Sequence, residues 1–219
     1  MEKWLGEETL KDSQLRDLVW ATNKIGQIPI EDMGIYGSIL VGLNKEESDT
    51  DMLIYGIENL KKLKDKFDLI LKNAKAKKAT DEQRCFRTKI WMKHCPLSKE
   101  MIFKMEKRRW SGIGIHGEKP MAIRFAYKEH EIPSNLITTL PLKTIKSKGK
   151  VLDSFGTHFL PRTAKVKTNG RVLDVISYYW LFFSCVCDGD DVEIHGAYRK
   201  DRQREYITLD EPTHYISPI

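Results

Sequence analysis

Two aspartates one residue apart, Asp49 and Asp51, stand at the start of a short apolar run and have the residue type and spacing to do chemistry. Side chains at positions i and i+2 of a strand point to the same side, so the two carboxylates would lie close together. Two like charges that close are unfavourable unless a cation neutralises them. Because oxygen ligands suit Mg²⁺ and Mn²⁺, the pair predicts a divalent-metal site.

A Gly-Ser pair, Gly37-Ser38, precedes these aspartates and ends a short predicted strand. Glycine lets a phosphate approach the backbone, and a serine hydroxyl together with the N–H groups of a helix start can bind it. Residues 39–43 are predicted to form the first turn or two of that helix. A phosphate cradle facing a metal site is the combination that metal-assisted phosphoryl or nucleotidyl transfer requires.

The stretch 36–56, YGSILVGLNKEESDTDMLIYG, resembles the nucleotidyltransferase superfamily typified by DNA polymerase beta. That signature is Gly-Ser after a first strand and Asp-x-Asp on a second, and Gly37, Ser38, Asp49 and Asp51 match it in identity and spacing. The whole chain is also similar to an archaeal group of predicted nucleotidyltransferases, which adds a strand-rich segment like RVLDVISYYW…DGDDVEIHGAYRK. The resemblance implies transfer of a nucleoside monophosphate from a nucleoside triphosphate to a hydroxyl, with Gly37 and Ser38 holding the triphosphate.

A third carboxylate, on a later strand, is also implied by the resemblance, as a metal ligand and as, or near, the general base. The corresponding predicted strand, residues 121–127 (MAIRFAY), contains no acid. Glu118 directly precedes this strand and is the preferred third carboxylate, whereas Arg124 on the strand is predicted to contact phosphate. Other acids remain alternatives: Glu129, Glu131, Asp153, Asp174 and the group 188–191.

Charge and composition agree with an anionic partner. The chain has 219 residues, a net charge of +6 and a sequence pI of about 9.0, and 41% of its residues are hydrophobic. A basic surplus favours nucleotide phosphates or RNA as partners, although a lysine-rich surface explains it equally well. The sequence contains no GxGxxG, GxxxxGK[ST] or HExxH motif, which argues against Rossmann, P-loop and zinc-protease chemistry.

Neither the cysteines nor the apolar runs indicate a metal cluster or a membrane protein. The four cysteines lack zinc-ligand spacing, so small buried apolar residues are the favoured interpretation. The longest apolar run, residues 175–187, is too short to span a bilayer, and the N-terminal residues do not read as a signal peptide. We therefore expect a cytoplasmic protein without membrane contact.

The predicted elements divide the chain into two domains. Amphipathic helices are predicted over 7–25, 60–76, 81–95 and 98–109, and with the short strands they indicate an α/β (α+β) nucleotidyltransferase-like domain with a short mixed sheet, residues 1–135. Residues 134–162 are predicted to be rich in loops, including the lysine-rich stretch 143–150. Turn signals at Asn169-Gly170 and at 188–190 then predict two hairpins, 164–179 and 181–198, and a small C-terminal β-barrel-like domain over 136–219.

Two hypotheses of other classes stay open. Without an obvious third carboxylate, the chain could be a non-catalytic nucleotide- or RNA-binding module with a degenerate site. Alternatively, the β-rich domain could mediate assembly with a partner or with a second copy, which leaves an oligomer possible.

Overall fold

A computed structural model describes residues 13–43, 45, 48–110, 114–116, 119–132, 139–182, 184–202 and 204–219. The chain divides into two compact units: unit 1 comprises residues 1–79 and 110–132, and unit 2 comprises residues 80–109 and 133–219. This division differs from the predicted one, in which residues 1–135 form a continuous first domain. Residues 80–109 belong to unit 2 because their apolar side chains, including the fully buried Ile102 and Met105, join its hydrophobic core.

The described part of unit 1 contains two helices and five short strands. They are α1 (Ser13–Lys24), β1 (Met33–Ile35), β2 (Thr50–Tyr55), α2 (Ile57–Asn73), β3 (Ala76–Lys78), β4 (Gly114–His116) and β5 (Lys119–Ala126), with 3-10 turns at Ile30–Asp32 and Glu129–Glu131. The strand order is β1-β2-β5-β4-β3. Only β2 and β5 run parallel, and the other neighbours are antiparallel, so the predicted short mixed sheet is confirmed.

The core of unit 1 lies between this sheet and its helices. Alternate residues of β2, Met52 and Ile54, are fully buried, and the opposite face of β2 carries Asp51. The apolar face of α2 is buried as the helical spacing predicts: Leu60, Leu63, Phe67, Ile70 and Leu71. This helix starts three residues earlier than predicted, and Asn59 lies inside it, where its side-chain amide donates to the carbonyl of Tyr55.

Among its described residues, unit 2 combines two helices with six strands. They are α3 (Asp81–Trp91), α4 (Lys99–Arg108), β6 (Lys143–Asp153), β7 (Arg162–Thr168), β8 (Arg171–Ser177), β9 (Asp191–Lys200), β10 (Glu205–Leu209) and β11 (Tyr215–Pro218), with 3-10 turns at Phe155–His158 and Trp180–Phe182. The helices predicted over 81–95 and 98–109 are present as α3 and α4, although α3 ends at Trp91. Thr80 begins α3 with a capping box and Ser98 caps α4, in each case by accepting from a backbone N–H three residues on.

Five strands of unit 2 close into a barrel. The sheet order is β10-β8-β7-β6-β9, and β10 also pairs with the end of β9, which completes the ring, while β11 pairs with the first half of β9. The β8 and β10 strands are parallel and the other barrel pairs are antiparallel. Five inward-facing aliphatic side chains are at most 3% exposed and form the core: Val151, Val166, Val175, Ile194 and Ile207. The coarse prediction of a barrel-like second domain is therefore confirmed.

Two predictions about the barrel need correction. Lysine-rich residues 143–150, predicted as loop, form most of the longest strand, β6, because Ile145, Ser147 and Gly149 alternate inward between the lysines. Residues 181–187, predicted as a strand of a second hairpin, contain no described strand. Instead Leu181, Phe182 and neighbouring apolar residues are buried in the barrel core just beyond the end of β8. The hairpin at Asn169-Gly170 is confirmed, with both residues at positive φ.

None of the helices in the described ranges combines the length and apolar character needed to cross a bilayer.

Candidate functional site

Asp51 and Gly37 meet where β1 and β2 end their pairing. The Tyr36 N–H donates to the Asp51 carbonyl at 3.3 Å, which carries the antiparallel contact one residue beyond β1. Gly37 has φ +77°, and a Cβ placed on it would lie 2.7 Å from Oδ2 of Asp51. The carboxylate therefore lies directly against the glycine backbone, at a distance that no side chain on residue 37 would permit.

The two predicted metal ligands differ in their surroundings. Asp51 is half-buried and lies on β2, whereas Asp49 is exposed and precedes the strand, which begins at Thr50. The prediction that both aspartates share one strand is thus correct only for Asp51. Only Asp51 is in contact with the Gly37 turn, and Asp49 lies two residues before Asp51 in the chain. Carboxylate oxygens are the donors that a hydrated divalent cation prefers.

Tyr36 links Asp51 to Arg124, and the sequence analysis missed it. Nε of Arg124 donates to the Tyr36 hydroxyl at 2.7 Å, and that hydroxyl also hydrogen-bonds the Asp51 side chain. Burial raises the pKa of Tyr36 far above its ordinary value; the Arg124 charge opposes the rise and the Asp51 charge adds to it. Tyr36 therefore stays protonated and donates to the carboxylate. The sequence signal that could have identified Tyr36 is its position directly before Gly37-Ser38.

The strand that faces Asp51 provides no acid. In the parallel register of β2 and β5, Ala122 stands beside Asp51 and Arg124 stands beside Leu53, so both share the sheet face of Asp51. Glu118, the predicted third carboxylate, lies outside the described residues. Within the described ranges, no group of three or more His, Cys, Asp and Glu side chains is placed to hold a metal ion.

Several alternative acids have other contacts. Glu131 accepts from the backbone N–H groups of Ile57 and Lys128, and so it anchors the start of α2. Asp188 accepts from the Ser154 N–H at 2.7 Å, and Asp190 pairs with Arg108, both within unit 2. These contacts give the three carboxylates structural roles.

The segment after Gly37-Ser38 forms turns, so the predicted helix start at 39–43 is wrong. The Leu43 N–H donates to the Ser38 carbonyl at 3.0 Å and the Gly42 N–H donates to the Ile39 carbonyl at 3.3 Å. Gly37 and Gly42 both have positive φ, which an α-helix does not accommodate. Any phosphate bound here would meet turn amides and the Ser38 side chain rather than a helix N-terminus.

Comparison with known proteins identifies a relative but no family. No protein-family model matches the chain. The chain is 32% identical over 173 residues to a protein of the archaeon Methanocaldococcus jannaschii named "Uncharacterized protein MJ1086". The alignment covers 77% of this chain and 51% of the relative, so the chain spans about half the relative's length. The name of the relative states no activity, and the site must be interpreted from its own chemistry.

Proposed function

We propose that unit 1 is a metal-dependent nucleotidyltransferase that moves a nucleoside monophosphate from a nucleoside triphosphate to a hydroxyl acceptor, with RNA as a candidate acceptor. The observation that carries the proposal is the contact between Asp51 and Gly37, where a Cβ on the glycine would lie 2.7 Å from the carboxylate. It joins the two halves of the Gly-Ser and Asp-x-Asp pattern at one edge of the sheet.

Each residue has a role that its position supports. Asp49 and Asp51 would hold Mg²⁺ or Mn²⁺, because their donor set consists of carboxylate oxygens. When bound, the cation would neutralise the triphosphate and activate the attacking hydroxyl. The Tyr36 hydroxyl fixes the Asp51 carboxylate by donating to it. Gly37 leaves room for phosphate beside that carboxylate, and Ser38 offers a hydroxyl.

Arg124 adds a positive charge on the sheet face of Asp51. Its Nε is held by Tyr36, and its strand neighbour is Leu53. A guanidinium positioned by a tyrosine hydroxyl has the geometry to contact a phosphate oxygen. This supports the predicted role of Arg124 in phosphate binding and gives it a second task, the positioning of Tyr36.

A non-catalytic nucleotide-binding module is the second candidate, and Ala122 favours it. The position on β5 that faces Asp51 holds a methyl group instead of a carboxylate. A site with only Asp49 and Asp51 would bind a metal–nucleotide complex but would lack the group that takes the acceptor proton. The two candidates share the binding step and differ in turnover.

The binding step is tested with the double variant Asp49→Asn/Asp51→Asn. We expect its Mg²⁺-dependent affinity for nucleoside triphosphates, measured by calorimetry, to fall about tenfold or more, because the carboxylate charges that hold the cation are lost. The circular dichroism spectrum should be unchanged. Asp65→Asn/Asp68→Asn on the exposed face of α2 is the matched control. Equal affinity in both double variants would refute the site.

Turnover is tested by incubating the protein with labelled triphosphates, Mg²⁺ or Mn²⁺, and total RNA. Label incorporated by the wild type but not by Asp49→Asn/Asp51→Asn supports the transferase. Triphosphate binding without incorporation into RNA, small hydroxyl compounds or the protein itself supports the binding module.

A further inference from the structure

One end of the barrel in unit 2 is an open, positively charged cavity. The start of β6, the β7–β8 turn, the end of β9 and the start of β10 meet there, around a volume of about 390 Å³. Lys143, Arg171, Tyr198 and Glu205 are among its lining residues. Leu181 and Phe182, which follow β8, fill the core from the other end, so this end is the accessible one.

A second concavity of about 590 Å³ continues from the first. Both volumes are lined by Arg171, Leu173 and Glu205, so they form one surface, which we name the basic channel. Among the described lining residues, seven cationic side chains face three carboxylates. The cations are Lys143, Lys146, Lys165, Arg171, Lys200, Arg202 and Arg204, and the carboxylates are Asp174, Asp201 and Glu205. The excess of positive charge in a concave surface focuses the field on an anionic ligand.

Glu205 lies at the junction of the two cavities as an internal counter-ion. Its Oε2 accepts from Nη1 of Arg171 at 2.8 Å, and its Oε1 lies 3.3 Å from Nζ of Lys200. The hydrogen bond from Lys200 is the largest cause that holds the pKa of Glu205 below its ordinary value; burial opposes it, and Arg171 and the Tyr198 hydroxyl add to the lowering. These donors already hold one oxyanion, and a phosphate oxygen presents the same acceptor chemistry.

The channel also offers groups that recognise a base. Tyr198 is half-buried on its floor, and Nζ of Lys143 lies 6.0 Å from the centroid of the Tyr198 ring. Ser147, Thr168 and Asn169 add hydroxyl and amide groups beside it. Aromatic rings in a basic groove stack successive bases of single strands, whereas a duplex keeps its bases paired and offers mainly phosphates.

We propose that the basic channel binds single-stranded nucleic acid, with phosphates held by Arg171, Lys200 and the neighbouring lysines and a base placed on Tyr198. The proposal rests on unit 2 alone and stands independently of the nucleotide site in unit 1.

The direct test is fluorescence anisotropy with a labelled oligouridylate of about 15 nucleotides, at salt concentrations from about 50 to 200 mM KCl. Lys143→Gln/Arg171→Gln should raise Kd about tenfold at low salt and should lower the slope of log K against log salt by about 1.4, since each lost phosphate contact on a single strand contributes about 0.7. Both side chains are exposed, so the fold should persist. The control Lys62→Gln/Lys64→Gln on α2 makes the same charge change and should leave Kd unchanged.

A second variant should change the affinity for the oligonucleotide in the opposite direction. Glu205→Gln removes the carboxylate that competes with phosphate for Arg171 and Lys200, so we expect affinity to rise about threefold to tenfold at low salt. Tyr198→Leu should weaken binding about tenfold through lost stacking, with little change in the salt slope.

Four results would overturn the proposal: an unaltered Kd in Lys143→Gln/Arg171→Gln, an equal loss in the α2 control, weaker binding by a folded Glu205→Gln, or a duplex of the same length bound as tightly as the single strand. Asp49→Asn/Asp51→Asn should bind the oligonucleotide like the wild type. Failure of the triphosphate test and failure of this one are therefore separable.

Discussion

The two units of this chain present opposite charges at their candidate sites. In unit 1, the Asp51 carboxylate lies against a glycine turn at the end of a short open sheet, with Asp49 two residues before it and Arg124 on the same sheet face. In unit 2, cations project around the end of a closed barrel and surround a few carboxylates. As we propose them, the first arrangement would bind a phosphate through a metal ion, whereas the second would bind it directly.

This difference predicts different responses to ions. Triphosphate binding at the Asp51 site should require a divalent cation, because carboxylates repel an uncompensated phosphate. Oligonucleotide binding in the basic channel should need no metal and should weaken steeply with added salt. Sheet closure adds a structural contrast: every barrel strand is paired on both sides, while the unit 1 site is built on a turn beyond an outer strand.

Gly37→Ala should separate the behaviour of the two sites most clearly. The new Cβ would lie 2.7 Å from Oδ2 of Asp51, so the carboxylate must move out of the position that faces the turn. We expect Mg²⁺-dependent triphosphate affinity, measured by calorimetry, to fall about tenfold or more. Oligonucleotide binding by the barrel should not change.

Gly42→Ala is the matched control, because Gly42 also has positive φ but a Cβ there would meet nothing within 4 Å. Both variants carry the backbone cost of about 1–2 kcal/mol for a left-handed alanine. Only Gly37→Ala should lose the ligand. Equal losses in the two variants would mean that turn strain, and not the Asp51 contact, governs the site.

A second prediction concerns the barrel core. Ile207 is fully buried on β10, and Ile207→Ala should lower the free energy of unfolding of unit 2 by about 2–5 kcal/mol through lost burial and a residual cavity. Hydrogen exchange of the β7 and β8 amides, followed by mass spectrometry, measures the change. Val172→Ala, on the exposed face of β8, should stay within about 0.5 kcal/mol. Similar exchange in both variants would contradict a closed, well-packed barrel.

Local patterns in the sequence predicted the features that depend on neighbouring residues. The apolar face of α2 follows from helical spacing, and the turn at Asn169-Gly170 follows from the tolerance of both residues for positive φ. The approach of Gly37 to Asp51 joins residues that are close in the chain through one antiparallel strand pair.

Features that depend on distant residues were not predictable. The lysine-rich sequence of β6 does not look like a strand, because its inward positions include the small or polar residues Ser147 and Gly149. Only the pairing with β9 makes Ser147 and Gly149 face the core. The apolar run at 181–187 has strand composition, but its place is the barrel core beyond β8. The hydrogen bond between Tyr36 and Arg124 spans 88 residues and needs the β2–β5 register to be known.

The smallest expected effect concerns Asp210 of unit 2, a carboxylate with a structural role, in contrast to the carboxylates of the unit 1 site. The Asp210 side chain in unit 2 pairs with Arg199, which is 8% exposed, and accepts from the Thr208 hydroxyl at 3.0 Å. Burial raises the pKa of Asp210, but the Thr208 and Arg199 contacts outweigh it and leave the pKa below its ordinary value. Because the folded pKa lies below the unfolded one, this stabilisation is present above the unfolded pKa and is lost as pH falls through the folded pKa.

Asp210→Asn should therefore destabilise unit 2 by about 1–2 kcal/mol at neutral pH, since a charged hydrogen-bond acceptor for Arg199 is replaced by a neutral one. The difference from wild type should hold constant above about pH 5 and should narrow below about pH 4, in thermal unfolding measured across that range. Asp191→Asn, which breaks only the exposed pair with Lys150, should cost little at any pH.

In contrast, Asp49→Asn/Asp51→Asn should leave unit 1 as stable or slightly more stable, because it removes repulsion between carboxylates. A stability loss in that double variant as large as in Asp210→Asn would mean that the carboxylates of the two units have the same structural role.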